Sequence, residues 1–288
     1  MMSPVRALVF LFLMVAVACS DVALMAADAS PDEALRALVA RQKELLASAE
    51  KKQSQVELED LRHPLQQLCF DYEDFLRRNP DLAAGYVSYA LLLDHPVIDE
   101  RRRATGLLLK ANQLDPELPL VKNQLGNHVA EMGKPLEALN YFLAAIRLAP
   151  KESLYHYQLG TLLAEARDDF LKSGEWTATK VDEALQRAFL QASLNSPNDW
   201  RYAYRYGLSF YDVEKPDWET ALAFWTKFEA DLKPGIEQQT CRVHRAKVLV
   251  EMNEMEEAKE VLSTITEPAL TRQKKTVEEA LAQKTRAK

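Results

Sequence analysis

The sequence predicts an all-α protein, an α-solenoid of stacked helical hairpins, and three observations carry that prediction. From Pro119 to Pro150 small and large apolar residues recur at helical rather than strand spacing, interrupted once at Gly133, as in two amphipathic helices joined by a short turn. A glycine, Gly126, stands inside the first of those helices, where it costs about 1 kcal/mol against alanine unless a neighbouring helix has to come close. The same register then returns before and after this stretch. The helices of such an array bury their apolar faces only against neighbouring units.

Counted from Pro119, Leu125 and Gly126 stand at places seven and eight, Ala138 at twenty, Phe142 at twenty-four, Ala145 at twenty-seven and Pro150 at thirty-two. This pattern resembles the tetratricopeptide repeat (TPR), whose unit is about 34 residues. The resemblance implies a right-handed solenoid in which Ala138 and Ala145 offer small surfaces and Phe142 fills the space between units. Lys122 and Val129 depart from it, standing where the family prefers Trp and Tyr. Pro150 disfavours helical geometry at the residue before it and so ends the second helix.

The elements follow in order. Pro31 to about Leu58 is charged and free of glycine and reads as one long capping helix, with Asp32 and Glu33 favourable at its amino end. A second helix begins near Pro64, which a first turn tolerates, and carries Leu65, Leu68, Tyr72, Phe75 and Leu76. Residues 30–80 are thus expected as capping helices with a degenerate first repeat. From Ala83 the register is clear, with Tyr86, Ala90, Ala104 and Ala111 in framework places and Pro116 closing the unit. A unit from Ser153 holds Leu159, Gly160 and Phe189, and an insertion near 167–182 is expected to lengthen its two helices around a protruding loop. Tyr206, Gly207, Phe210, Ala221, Trp225 and Phe228 define a fourth unit; Ala246, Leu249, Ala258, Leu262 and Ile265 define a weaker fifth. The solenoid of about five units spans 81–268, and 269–288 is a terminal helix bearing Leu270, Val277 and Leu281 on one stripe.

Ahead of all this, Ala7 to Ala18 is an unbroken apolar run behind Arg6, shorter than the roughly 20 residues of a membrane span. Residues 1–29 therefore read as a secretory signal peptide, with cleavage after Ala27 or Ala29, which places the mature chain in the periplasm, envelope-associated or secreted. Ala16 to Cys19 also resembles a lipoprotein box, in which Cys19 would be lipidated; a lipid or retained signal anchor is the only membrane contact expected. Cys69 and Cys241, 172 positions apart, read as buried apolar side chains rather than a disulfide.

No catalytic signature is present: the chain lacks a Gly-x-Ser-x-Gly elbow, a phosphate loop and a His-Glu-x-x-His pair. Its five histidines show no metal-ligand spacing, so neither a metal nor a cofactor is expected. The net charge of −7 argues against a general attraction to nucleic acid, and within the basic and aromatic stretch Arg201 to Gly207 the residues Ala203, Tyr206 and Gly207 occupy framework places. The TPR resemblance implies a concave groove lined by places two, five, nine and twelve of each first helix. Here these are Val87 and Leu91, Asn123 and Asn127, Tyr157 and Thr161, then Arg201, Tyr204, Leu208, Tyr211, Val243 and Lys247. Asn amides both donate and accept, which suits an extended peptide backbone, and tyrosines add broad apolar contact with polar tips. The expected function is a non-enzymatic adaptor for a protein or peptide partner. An accessory subunit or enzyme with its site in the long turns, and a self-associating envelope component, are the competing classes.

Overall fold

The computed structural model describes residues 30–51 and 55–286, with backbone only for 55–58. The expected signal peptide, its cleavage points and Cys19 lie outside the described residues. Every regular element among the described residues is helical. The chain divides into two compact units, one through Val121 and the other from Lys122.

The first unit holds α1 (Pro31–Glu50), α2 (Gln55–Arg78), α3 (Ala83–Leu93) and α4 (Arg101–Leu114). Ser30 caps α1 by a capping box: its hydroxyl accepts from the Glu33 N–H at 3.3 Å, and the Glu33 carboxylate accepts the Ser30 N–H at 3.0 Å. Two expectations are corrected here. The long first helix ends at Glu50, and the second begins well before Pro64, which lies inside it. A proline in a helix interior costs about 3 kcal/mol. Leu61, Leu65, Leu68, Tyr72, Phe75 and Leu76 form one buried face on both sides of Pro64, and burying each contributes roughly 1.5–3 kcal/mol, so the helix continues.

Polar contacts join these helices. Tyr72 donates to the buried Gln42 at 2.6 Å and stacks on Tyr89 at 5.2 Å. Tyr89 donates to Glu73 and receives Arg103, whose guanidinium also pairs with Glu73. In the α3–α4 hairpin Ala90, Ala104, Leu108 and Ala111 are buried, small residues allowing the helices to approach.

The second unit takes in α5 (Pro119–Glu131, from its fourth residue), α6 (Pro135–Leu148), α7 (Ser153–Glu165), α8 (Arg167–Lys172), α9 (Ala178–Asn195), α10 (Trp200–Ser209), α11 (Trp218–Asp231), α12 (Ile236–Glu251), α13 (Met255–Ser263) and α14 (Thr271–Arg286). One contact recurs in its hairpins. A Cβ built on Gly126 would stand 2.9 Å from the ring of Phe142, on Gly160 2.7 Å from Phe189, and on Gly207 2.3 Å from Trp225. Each first helix thus carries a notch into which an aromatic side chain of the second helix fits, and all three rings are fully buried.

The insertion lengthens the second helix, since α9 starts inside it at Ala178 and runs for 18 residues, but it does not simply lengthen the first. It forms α8, anchored by the fully buried Phe170, on whose ring Trp176 packs edge-on at 5.3 Å. The buried Asp182 accepts from Arg167 at 3.0 and 3.2 Å and from the Glu214 N–H at 2.9 Å. One carboxylate therefore ties the insertion to the turn after α10, and folding the loop back satisfies polar groups that would otherwise stand in water. At the carboxy end Leu270 lies in a 3₁₀ turn and Val277 and Leu281 on α14, all buried against α12 and α13. Lys284 donates to the Val250 carbonyl at 3.1 Å and pairs with Glu251, closing the end of α12.

The notches predict opposite effects for one substitution at two sites. Gly126→Ala should lower the urea midpoint, because Phe142 has to shift. Gly106→Ala, inside α4 with open space around it, should raise stability by about 1 kcal/mol. Equilibrium unfolding followed by circular dichroism checks both signs.

Candidate interaction surface

Val87 and Leu91 lie half-buried on α3 in the first unit. Asn123, Asn127, Tyr157, Thr161, Arg201, Tyr204, Leu208, Tyr211 and Lys247 belong to the second unit. Asn123 is fully buried, which corrects its expected place on an open groove. Burial of Val121, Leu125, His128 and Val129 shows that α5 is enclosed on more than one face, and Asn123 falls inside. Its Nδ2 reaches only Gln124, at 3.5 Å. Asn127 stays half-buried, its amide 3.4 Å from the same Gln124 oxygen. Thr161 is half-exposed, but its hydroxyl oxygen is buried.

From α7 onward the stripe becomes aromatic. Tyr157 packs edge-on against Phe189 at 5.8 Å and Tyr202 at 5.6 Å. Arg201 is exposed, bound through two nitrogens to Asp199 at 3.0 and 2.6 Å, with its guanidinium 5.6 Å over Tyr202. Tyr204 stacks on Trp200 at 4.9 Å, and Trp200 stacks on Phe228 at 5.1 Å. Leu208 is half-buried one turn further on.

His244, on α12, joins these rings. It stacks on Trp225 at 4.4 Å with the planes 10° apart. The Tyr204 hydroxyl is 3.2 Å from its Nε2 and the Tyr211 hydroxyl 3.4 Å from its Nδ1. Burial, aided by the nearby Lys247 ammonium, pushes the imidazole down to about 4, so it is neutral at pH 7. Burial also raises the Tyr204 and Tyr211 phenols. The Lys247 ammonium sits 3.9 Å over the Tyr211 ring.

Alongside Tyr204 and Lys247 the stripe borders a cleft of about 590 Å³ lined by Trp200, Tyr204, Val243, His244, Lys247 and Val277, among others. This arrangement offers ring faces, hydroxyls and one ammonium. Among the described residues no group of three or more His, Cys, Asp and Glu side chains is placed to hold a metal ion, and no helix is long and apolar enough to cross a membrane. Trp200 and His244 belong to this surface and were not anticipated from the sequence. Their only signal is position: Trp200 directly follows the capping Asp199, and His244 stands one turn before Lys247.

Among solved structures, YrrB, a TPR protein with an unusual peptide-binding site, superposes with a TM-score of 0.54 at 18% identity, covering 74% of this chain and 97% of its own. PilF of Pseudomonas aeruginosa gives 0.55 at 16% identity, covering 85% and 93%. The chain has the tetratricopeptide-repeat fold. Neither the family models nor the curated proteins give a match. In TPR terms, Tyr157, Tyr204 and Tyr211 lie on first helices or at their carboxy ends, while Phe142, Phe189 and Trp225 are the second-helix rings that fill the glycine notches.

His244 makes stability depend on pH. Its folded value lies below the ordinary 6.5, so the unfolded chain binds the proton first on acidification. The contribution of His244 is whole above about 6.5 and is lost as pH falls toward 4. Urea midpoints at pH 7 and pH 5 should differ more for the natural chain than for His244→Gln. Equal differences would contradict the buried neutral imidazole.

Proposed function

We propose that this chain is a non-enzymatic protein-interaction scaffold that holds an extended segment of a partner protein on the first-helix faces of its second unit. The observation that carries this reading is the row of half-buried rings, Tyr157, Tyr202, Trp200, Tyr204 and Tyr211, packed on one side and bordering the open cleft beside Lys247. Tyrosine and tryptophan provide large contact area at small conformational cost, the property that favours them at interfaces. Asn127, Thr161, Arg201 and Leu208 extend the same surface. The peptide site of YrrB supports a peptide as ligand on this fold, although the fold alone does not choose the partner.

Because Tyr204 is packed among Trp200, Trp225 and His244, truncating it would disturb folding as well as binding. A photoreactive p-benzoylphenylalanine is therefore better placed at the accessible positions Asn127, Arg201 and Lys247. On this reading each captures the same polypeptide in the native cell, while Leu143 on α6 and Glu183 on α9 capture none. Capture confined to the second-helix positions would overturn it.

The scaffold is proposed to act outside the cytoplasm. The apolar run Ala7 to Ala18 behind Arg6, with small residues after it, supports export, and Cys19 supports a lipid anchor as one form of it. Intact mass of the protein from its native host should show an amino terminus at Asp28 or Ser30, or a lipidated Cys19. Retention of the whole leader on a soluble chain would refute export.

A further inference from the structure

The cleft that borders the aromatic stripe carries opposite charges at its two ends. Both Glu237 and Lys247 line it from α12, ten residues apart, which places them about 15 Å from one another along the helix axis. Both are exposed, and among the described residues neither forms an ion pair. Of the neighbouring charges, Glu229 binds Arg242 and Arg245, Glu251 binds Lys284, and Lys274 is held on the Ile265 carbonyl, while Lys233, Arg272 and Glu278 are exposed around the rim. His244 is neutral. Between the two ends the walls are Trp200, Tyr204, Val243, Leu270 and Val277, with Thr240, Gln273 and Thr276 as polar groups able to meet a peptide backbone.

We propose that this cleft takes an extended segment of four or five residues with a large apolar side chain at its centre, an acidic residue at the Lys247 end and a basic residue at the Glu237 end. The inference rests on the scaffold reading above and specifies which segment that scaffold accepts. At about 3.3 Å per residue, four or five residues match the 15 Å between the two charges. The apolar side chain enters the space among Trp200, Tyr204, Val243 and Val277. The charges set its order, because a segment with two acidic ends meets Glu237 and one with two basic ends meets Lys247. Such end contacts are solvent-exposed, so they select among segments more than they add affinity.

The test uses acetylated, amidated heptapeptides Gly-Lys-Ser-Phe-Ser-Glu-Gly, the same peptide with Glu at both charged places, with Lys at both, and with Gln at both. Binding to the mature chain is followed by amide chemical shifts of Thr240, His244 and Gln273, with Asn127 and Tyr157 as the remote set. The bipolar peptide is expected to bind most tightly and to move the first set. Lys247→Glu should weaken it about two- to fivefold and turn the preference toward the two-Lys peptide, while Glu237→Lys should turn it toward the two-Glu peptide. Both shifts should shrink in 1 M salt. These positions are on the surface, and an unchanged thermal melt verifies that the variants fold. Equal affinities for all four peptides, or shifts confined to Asn127 and Tyr157, would overturn the inference and leave the scaffold standing. No shift with any peptide at millimolar concentration also overturns it, whereas failure of the crosslinks at Asn127 and Arg201 removes the scaffold itself.

Discussion

The second unit depends on the contact between a glycine of a first helix and an aromatic ring of the second. At Gly126, Gly160 and Gly207 a methyl group would fall within 3 Å of Phe142, Phe189 or Trp225. The lost helix propensity, about 1 kcal/mol per glycine, is outweighed by burial of a whole aromatic side chain. The contact also orients. At 3.6 residues per turn, places two, five, nine and twelve lie on average about a quarter-turn from place eight. Seating the glycine on its ring therefore sets the direction in which the stripe of Asn127, Tyr157, Thr161 and Tyr204 faces.

That coupling explains why the aromatic content of the fourth repeat serves packing and surface together. Trp225 fills the Gly207 notch from below and stacks on His244 above, and His244 in turn holds the hydroxyls of Tyr204 and Tyr211. Phenols that would rotate freely at a surface are thus held against the His244 ring. A neutral imidazole suits this role because it can accept at one nitrogen and donate at the other. Protonation would leave an uncompensated charge among aromatic rings with Lys247 beside it, and burial depresses the pKa accordingly.

Several local features were legible in the sequence because they follow from spacing alone. Gly126, Ala138, Phe142 and Ala145 read as a packed hairpin, and the small residues Ala90, Ala104 and Ala111 marked the α3–α4 interface; all of these side chains are buried, and the Gly126 notch is filled by Phe142. Pro64 was misread, since its local preference for a helix start competes with a buried face that runs from Leu61 to Leu76. The insertion was read in part: its turn at Ser173-Gly174 and the longer second helix were expected, but composition does not show that Arg167–Lys172 would form a separate helix or that Asp182 would find Arg167 and the Glu214 amide. Asn123 shares the helical phase of a surface position, and periodicity within one helix does not report what covers it.

By itself the sequence determined the class of the elements and several of the places where helices had to touch, because helix periodicity, propensity and steric size act over a few residues. Only the tertiary structure decided which faces of those helices remained open. It buried Asn123, folded the insertion onto Phe170, and gathered Trp200, Tyr204, Tyr211 and His244 from two helices into one surface ending at Lys247. Exposure is a property of neighbours distant along the chain, and the hydrogen bonds of His244 reach across 33 and 40 positions that no local pattern relates.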